Sequence, residues 1–181
     1  MITPQDVLDF WFDGDPLSHR NVWFEKDTSF DQACARFTST LRDAKSGALD
    51  SWAATPNGAL ALTILLDQFS RNLFRDSPET YLADAKARAV ARTAIARGFD
   101  QQVSSIERGF FYLPFEHSED PADQAESVRL FTPLGEDAAK WAQHHHNIVH
   151  RFGRFPHRNA VLGRTNTPEE EAYLASDDNT F

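Results

Sequence analysis

A chain of 181 residues with 41% hydrophobic residues can bury a substantial core, and we expect a single helical domain over residues 1–181. Lys and Arg number 18 against 27 Asp and Glu, and the formal charge of −9 disfavours nucleic-acid and anionic-membrane partners. One cysteine, no signal-peptide pattern in MITPQDVLDF and no apolar run of about 20 residues predict a cytoplasmic protein without disulfides.

Helix starts are marked along the chain by a capping side chain followed by proline. Proline at the first helical position loses no hydrogen bond, and the preceding side-chain oxygen caps free backbone amides. Glycines end the periodic stretches, because glycine readily adopts the left-handed conformation of a helix C-cap. The starts are Thr3-Pro4, Thr55-Pro56, Ser77-Pro78, Asp120-Pro121 and Thr167-Pro168, and the stops are Gly47, Gly98, Gly135, Gly153 and Gly163.

These signals predict an all-α fold, since the alternating β-branched runs that indicate a sheet are essentially missing. Short connections predict stacked antiparallel helical hairpins, in the manner of a tetratricopeptide-like α-α superhelix. The clearest hairpin joins 57–75 to 78–97, where alanines allow close approach. The predicted helices span 4–12, 29–46, 57–75, 78–97, 104–118, 121–134, 136–152, 156–162 and 168–175.

The single cysteine, Cys34, lies on one face of the predicted helix 29–46. Phe30, Cys34, Phe37 and Leu41 follow a 4-3-4 spacing, which places them on the same side of a helix. This pattern predicts a small buried core residue rather than a nucleophile.

The segment LLDQFSRNLFR, residues 65–75, places charges on an apolar helix. Asp67 and Arg71 continue the stripe formed by Leu60 and Ile64, with the acid N-terminal in the favourable i,i+4 order. Because the helix is largely apolar, we expect this pair to be partly buried and to need further partners.

Two later segments bring imidazoles and carboxylates next to bulky residues. In SIERGFFYLPFEHSED, Pro114 is expected to kink the helix just before Glu116 and His117. In WAQHHHNIVHRF, the spacing predicts that Trp141, His145, Ile148 and Phe152 share an inward face.

The segment RFGRFPHRNAVLGR, residues 151–164, interleaves four arginines with large apolar residues. A solvated basic tail would not carry so much apolar bulk. The guanidinium forks are therefore expected either to pair with internal carboxylates or to hold an anionic ligand. In particular, we expect Arg158 to hold an anion rather than to project into water.

Metal and cofactor chemistry finds little support in the sequence. Glu116, His117, His145 and His157 are suitable ligand types, but no HExxH or paired CxxC spacing occurs, and we predict neither a metal nor a cofactor. No GxSxG elbow or glycine-rich phosphate loop is present. An acid–base pair drawn from Glu116, His117 and His157 would instead indicate a small hydrolase or lyase.

Three interpretations of the polar residues remain open. They form a groove that binds an anionic small molecule or peptide carboxylate, they serve catalysis, or they lock helices together in a scaffold that binds a partner helix. If these residues lock helices together, four carboxylates would pair with four arginines: Asp67, Glu107, Glu116 and Glu119 with Arg71, Arg108, Arg154 and Arg158. In each interpretation we expect helices 57–75, 104–118 and 136–152 to converge, because each carries polar residues on an otherwise apolar face. For the groove, the predicted ligand-binding residues are Asp67, Arg71, His145, Arg154, His157, Arg158, Asn159 and Arg164.

The segments LLDQFSRNLFR, PFEHSED, RFGRFPHRNAVLGR and TPEEEAYL resemble those of a bacterial group, domain-of-unknown-function family 924. Four collinear motifs make the resemblance specific, and it covers nearly the whole chain. It implies a helical fold similar to tetratricopeptide-like superhelices, and no catalytic residue, because the family has no established activity. The family pattern shows an acidic residue at the position of Asn147, so no carboxylate there orients His145 in this chain.

Overall fold

Helices account for most of the structure, a computed structural model that describes residues 1–179. No β-strand occurs among these residues, which confirms the all-α prediction. Short 3-10 turns connect many of the helices. The α-helices are α1 Pro4–Phe12, α2 Thr28–Cys34, α3 Thr38–Ser46, α4 Pro56–Ile64, α5 Ser70–Leu73, α6 Asp84–Ala96, α7 Ser105–Glu116, α8 Pro121–Phe131, α9 Glu136–Phe152 and α10 Pro168–Leu174.

Side-chain caps start four of these helices where the sequence predicted them. Thr3 caps α1 and Thr167 caps α10, each in a reciprocal capping box. Thr55 caps α4 and Asp120 caps α8 through single hydrogen bonds to backbone amides. Ser77-Pro78 is the exception, because it opens only a 3-10 turn, Pro78–Tyr81.

Several predicted helix bounds were wrong. The expected helix 78–97 begins only at Asp84, because the preceding turn is held by a hydrogen bond from the Thr80 hydroxyl to the Phe74 carbonyl. The expected helix 29–46 is divided by a 3-10 turn, Ala35–Phe37. The expected helix 156–162 contains only the turn Pro156–Arg158, since so short a segment does not sustain an α-helix.

Backbone contacts divide the chain into two compact units. The first unit comprises Met1–Arg75 and Glu79–Pro114, and the second comprises Asp76–Pro78 and Phe115–Phe181. Pro114 lies inside α7, which continues to Glu116. The single domain, the superhelical stacking and the kink at Pro114 stay predictions.

The core of the first unit contains a group of packed aromatic rings and a cluster rich in alanine. The Phe69 ring lies 5.0 Å from that of Phe37 and 5.2 Å from that of Trp11. Ala83 and Ala87 pack in one buried cluster with Ala44, Leu62 and Leu66, as the small residues of the hairpin predicted.

Cys34 lies in the first unit and is completely buried, as predicted. Burial, helped by the nearby Asp31 carboxylate, raises the pKa of its thiol to about 12. The thiol is therefore protonated at neutral pH and serves as packing material.

The core of the second unit forms around α9. Ile148 and Val149 of α9 pack with Phe155 and Tyr173. The helix ends at Gly153, whose φ of 70° lies in the left-handed region that favours glycine. Within residues 1–179, no helix combines the length and apolar character needed to cross a membrane.

Candidate functional site

Arg71, in the first unit, clamps an irregular turn between α4 and α5. Residues Leu65–Phe69 form a π-helical turn, a feature that often occurs at functional positions. Nη1 of Arg71 donates to the Asp67 carbonyl at 2.7 Å and lies 3.1 Å from Asp67 Oδ1. Both Nη atoms also donate to the Asp84 carboxylate, each at 3.1 Å.

The Asp67–Arg71 pair is thus partly buried and has a further partner, as its position on an apolar helix predicted. Burial acts to lower the pKa of Arg71, but the Asp67 and Asp84 carboxylates outweigh it and raise that pKa. These contacts support a role for Arg71 in holding α5 to α6.

In the second unit, Glu119 joins Phe155, inside the arginine-rich segment, to Arg164 at its end. Arg164 donates to both carboxylate oxygens of Glu119, at 2.8 and 2.9 Å, and to the Phe155 carbonyl at 3.0 Å. The Phe155 amide donates to Glu119 at 2.8 Å. Burial acts to raise the pKa of Glu119, but its hydrogen bonds from Arg164 and Phe155 keep that pKa below its usual value.

Arg154 makes the second fork of this segment. Its Nε and Nη2 donate to the two oxygens of Glu170 at 2.6 and 2.8 Å, and Nη2 also donates to the Thr165 carbonyl at 2.9 Å. The bond from Arg154 is the main reason that the pKa of Glu170 falls to about 2. Asn159 donates to Asn166 at 2.8 Å and to Glu170. This fork therefore joins α10 to the segment.

Carboxylate–guanidinium pairs connect separate segments within each unit, but Glu119 and Arg154 have partners outside the predicted set. Glu119 pairs with Arg164, and Arg154 with Glu170, because contacts between distant residues decide the pairing. Glu107 instead accepts the Ser104 amide at 2.8 Å, and Arg108 donates to the Asp100 carbonyl at 3.0 Å.

Gln124 of α8 positions the end of α7, where Glu116 and His117 lie. It donates to the backbone carbonyls of Glu116 at 2.7 Å and Ser118 at 2.6 Å. These bonds satisfy carbonyls that a helix end would otherwise leave open. They also hold the backbone at Glu116 to α8.

Glu116 lies beside His145, and both side chains are buried, at 5% and 8% exposure. Nδ1 of His145 lies 2.9 Å from the Trp141 carbonyl and 3.4 Å from Glu116 Oε1. Burial lowers the pKa of His145 to about 3, although the Trp141 carbonyl acts against this shift. The imidazole is therefore neutral at neutral pH, with its proton on Nδ1 because a carbonyl can only accept.

Phe155 is the centre of a cluster of imidazoles. The rings of His145 and His157 lie 5.7 and 5.5 Å from it, and the Arg158 guanidinium lies 4.5 Å above it. His117 lies 6.4 Å from His145. Burial first, and Arg158 second, lower the pKa of His157 to about 3. The cluster therefore combines neutral imidazoles with a buried guanidinium, a set able to donate hydrogen bonds or move a proton.

The structure thus brings Glu116, His117 and His145 together with the arginine-rich segment. Arg158 is only 7% exposed, so it does not project into water. Asp67 and Arg71 belong to the first unit, and their convergence with this cluster stays a prediction. Among residues 1–179, no group of three or more His, Cys, Asp or Glu side chains is arranged to hold a metal ion.

A concave surface lies along α9. Its larger cavity is open to solvent on one side and has a volume of about 420 Å³. The smaller cavity, also open to solvent, has a volume of about 170 Å³ and shares His144 and Asn147 with the larger one. We call the two cavities together the α9 groove. The larger cavity is lined by Lys140, Trp141, Gln143, His144 and Asn147, and the smaller by His144, Asn147, Ile148, Arg151, Phe152, Tyr173 and Asp178.

The helical spacing predicted that Trp141 and His145 share a buried face, and for Trp141 this was wrong. Its side chain is 49% exposed, and its indole meets the His144 ring edge-on at 5.8 Å. Only its backbone carbonyl supports His145. Helical periodicity did not reveal this groove. The signal in the sequence that could have indicated it is a tryptophan next to the polar residues Lys140, Gln143 and His144.

Comparison with known proteins gives a family and one solved relative. A family model described as a bacterial protein of unknown function (DUF924) matches residues 7–178. A structure of a protein of unknown function from Agrobacterium tumefaciens is similar at a TM-score of 0.90 and 46% identity, covering 95% of this chain and 96% of that one. No match is found among curated proteins.

Proposed function

The chain belongs to the DUF924 family of bacterial proteins, and we propose that it is a binding module for an anionic small molecule or peptide carboxylate. The ligand site in this proposal is the α9 groove. The half-exposed indole of Trp141, beside Lys140 in a cavity of about 420 Å³, is the observation that carries the proposal. An exposed aromatic ring next to a cation offers a ligand both contact area and charge.

The charges along the α9 groove support an anionic ligand. Lys140 contributes a positive charge at one end, while at the other end Arg151 is paired with Glu169 and Asp178 contributes a negative charge. His144 has its pKa lowered, chiefly by burial, and adds a neutral ring. On a chain of net charge −9, the end of the α9 groove at Lys140 is therefore the part that favours an anion.

The arginine-rich segment has a supporting role in this proposal. Arg154 and Arg164 are bound to Glu170 and Glu119, so their forks are already engaged by internal carboxylates. They hold the chain that follows α9, and a ligand site needs such a rigid support. The buried Arg158 adds to the same support through its contact with Phe155.

Equilibrium titration with phosphate, acetate and citrate, followed by tryptophan fluorescence and calorimetry, tests the proposal. Lys140→Gln should weaken binding about tenfold, the effect of losing one charged contact. Arg42→Gln, at an exposed position of α3, is the matched control and should bind as the wild type does. The proposal would be contradicted if both variants bind the anions equally well, or if the wild type binds none of them.

The contact between Glu116 and His145 favours a second candidate, a small hydrolase or lyase. Glu116, His117 and His157 would be its acid–base residues, since a buried carboxylate beside a neutral imidazole can transfer a proton. Glu116→Gln should then abolish turnover in a broad hydrolase screen while the protein stays folded. A lower melting temperature with no turnover in either protein would identify Glu116 as structural.

A further inference from the structure

Two amide side chains, Gln143 and Asn147, line the larger cavity, and Asn147 also lines the smaller one. We infer that the α9 groove binds an extended peptide with a free C-terminal carboxylate, and that these two amides hold its backbone. The inference rests on the proposed function and narrows it from anions in general to peptides.

Among residues 1–179, the hydrogen bonds of the two amides leave a donor and an acceptor for a ligand. Nε2 of Gln143 donates to Asn147 Oδ1 at 2.8 Å and lies 3.2 Å from Nδ1 of His146. These contacts engage both Gln143 donors and the Asn147 oxygen. The Asn147 Nδ2 donors and the Gln143 Oε1 acceptor remain, on side chains that are exposed. A peptide group presents the complementary pair, one carbonyl acceptor and one N–H donor.

The length of the α9 groove suits a peptide better than a small anion. From Lys140 to Arg151, eleven residues of helix at about 1.5 Å each span about 16 Å. An extended chain rises about 3.3 Å per residue, so about five residues cover that span. A phosphate or acetate ion would contact only one end of it.

The charges and apolar walls give the peptide a direction. Lys140 stands at one end and offers its ammonium to the terminal carboxylate. At the other end Arg151 already pairs with Glu169 at 2.8 Å, and Asp178 would repel a carboxylate. Phe152 and Tyr173, whose rings lie 5.1 Å apart, form an apolar wall there for a large side chain. The carboxylate therefore lies over Lys140, and an apolar side chain enters the smaller cavity.

The test uses the full chain and a library of N-acetylated pentapeptides with free C termini, with binding measured by fluorescence polarisation. Asn147→Asp keeps the size of the side chain but replaces its two donors with a negative charge, so it should weaken binding of the selected peptides at least about tenfold, whereas Gln143→Ala changes no charge. Asn57→Asp makes the same change at an exposed position of α4 and should have no effect. Gln143→Ala, which removes the acceptor, is the second variant, and circular dichroism checks that each protein is folded.

Each outcome decides between the two proposals. The inference is supported if peptides bind the wild type, if Asn147→Asp weakens that binding, and if amidation of the peptide C terminus also weakens it. Peptides that bind Asn147→Asp and Gln143→Ala as tightly as wild type would overturn it, as would equal binding of the amidated forms. If phosphate or acetate binds and no peptide does, the peptide inference fails while the proposed function stands. If neither the small anions nor the peptides bind, both the proposed function and the peptide inference fail.

Discussion

The Glu119 carboxylate accepts hydrogen bonds from both terminal nitrogens of Arg164, at 2.8 and 2.9 Å, although the two residues are 45 positions apart in the sequence. The same carboxylate accepts the Phe155 amide, so it closes the arginine-rich segment into a loop. Arg154 makes the equivalent contact with Glu170. In the second unit, two guanidinium forks thus hold the chain that follows α9, and the concave surface lies on α9 itself.

Replacing Arg164 with lysine should destabilise the second unit. Lysine keeps the charge but loses the planar fork, so at least one charge-assisted hydrogen bond to Glu119 disappears. We expect the free energy of unfolding to fall by about 1–3 kcal/mol in urea denaturation. Arg42→Lys, at an exposed position, should leave it unchanged. An Arg164→Lys protein as stable as wild type would show that the fork is dispensable.

The clamp of the first unit makes a parallel prediction. Arg71 is shared by Asp67 and Asp84, so Arg71→Lys leaves two carboxylates facing one point charge. Because Asp67 is fully buried, the loss should lower the melting temperature more than Arg75→Lys, whose partner Asp31 is nearer the solvent. Thermal unfolding by circular dichroism compares the two, and an equal loss would argue against the special role of Arg71.

Acid should destabilise the protein through its buried imidazoles. His145 and His157 have a pKa of about 3, against an ordinary value of 6.5. Below pH 6.5 the unfolded chain binds protons that the folded chain does not, so the free energy of unfolding falls as the pH drops. Each imidazole contributes a slope of up to about 1.4 kcal/mol per pH unit. Glu170, with a pKa near 2, adds a loss of the same sign below 4.5.

The window between pH 6.5 and pH 5.5 reports mainly on the imidazoles, since Glu170 in the unfolded chain has its ordinary pKa of 4.5 and takes up most of its proton below this window. Urea denaturation at both limits should show a smaller loss of stability in His157→Gln than in the wild type. His150→Gln, at an exposed position of α9, should show the same loss as the wild type. Identical curves for all three proteins would contradict the prediction.

Cys34 should resist thiol reagents in the folded protein. Its thiol is fully buried and its pKa is about 12, so almost no thiolate is available to react. We expect one equivalent of Ellman's reagent to react in urea and essentially none in native buffer. Rapid labelling of native protein would place the side chain in contact with solvent.

The sequence predicted local features well and distant partners poorly. The caps at Thr3 and Thr167 depend on residues within one turn, so they follow from short motifs. The pairing of Glu119 with Arg164 depends on how separate segments pack, which no local pattern contains.

The π-helical turn and the exposed indole were missed for a related reason. Helical periodicity assumes regular geometry, so it does not reveal the extra width at Leu65–Phe69. It also assigns Trp141 and His145 to one face, although only His145 is buried. Which residues of a helical face become buried depends on the segments that pack against that face.

Calorimetric titration of a blocked groove tests the central claim most directly. Asn147 lines both cavities and is exposed, so Asn147→Trp should fill the α9 groove without disturbing the fold. His150→Trp places the same bulk on the same helix, outside the residues that line the groove. With citrate and the selected pentapeptides, we predict binding to the wild type and to His150→Trp, and none to Asn147→Trp. Equal binding by the two tryptophan variants would contradict a ligand site along α9.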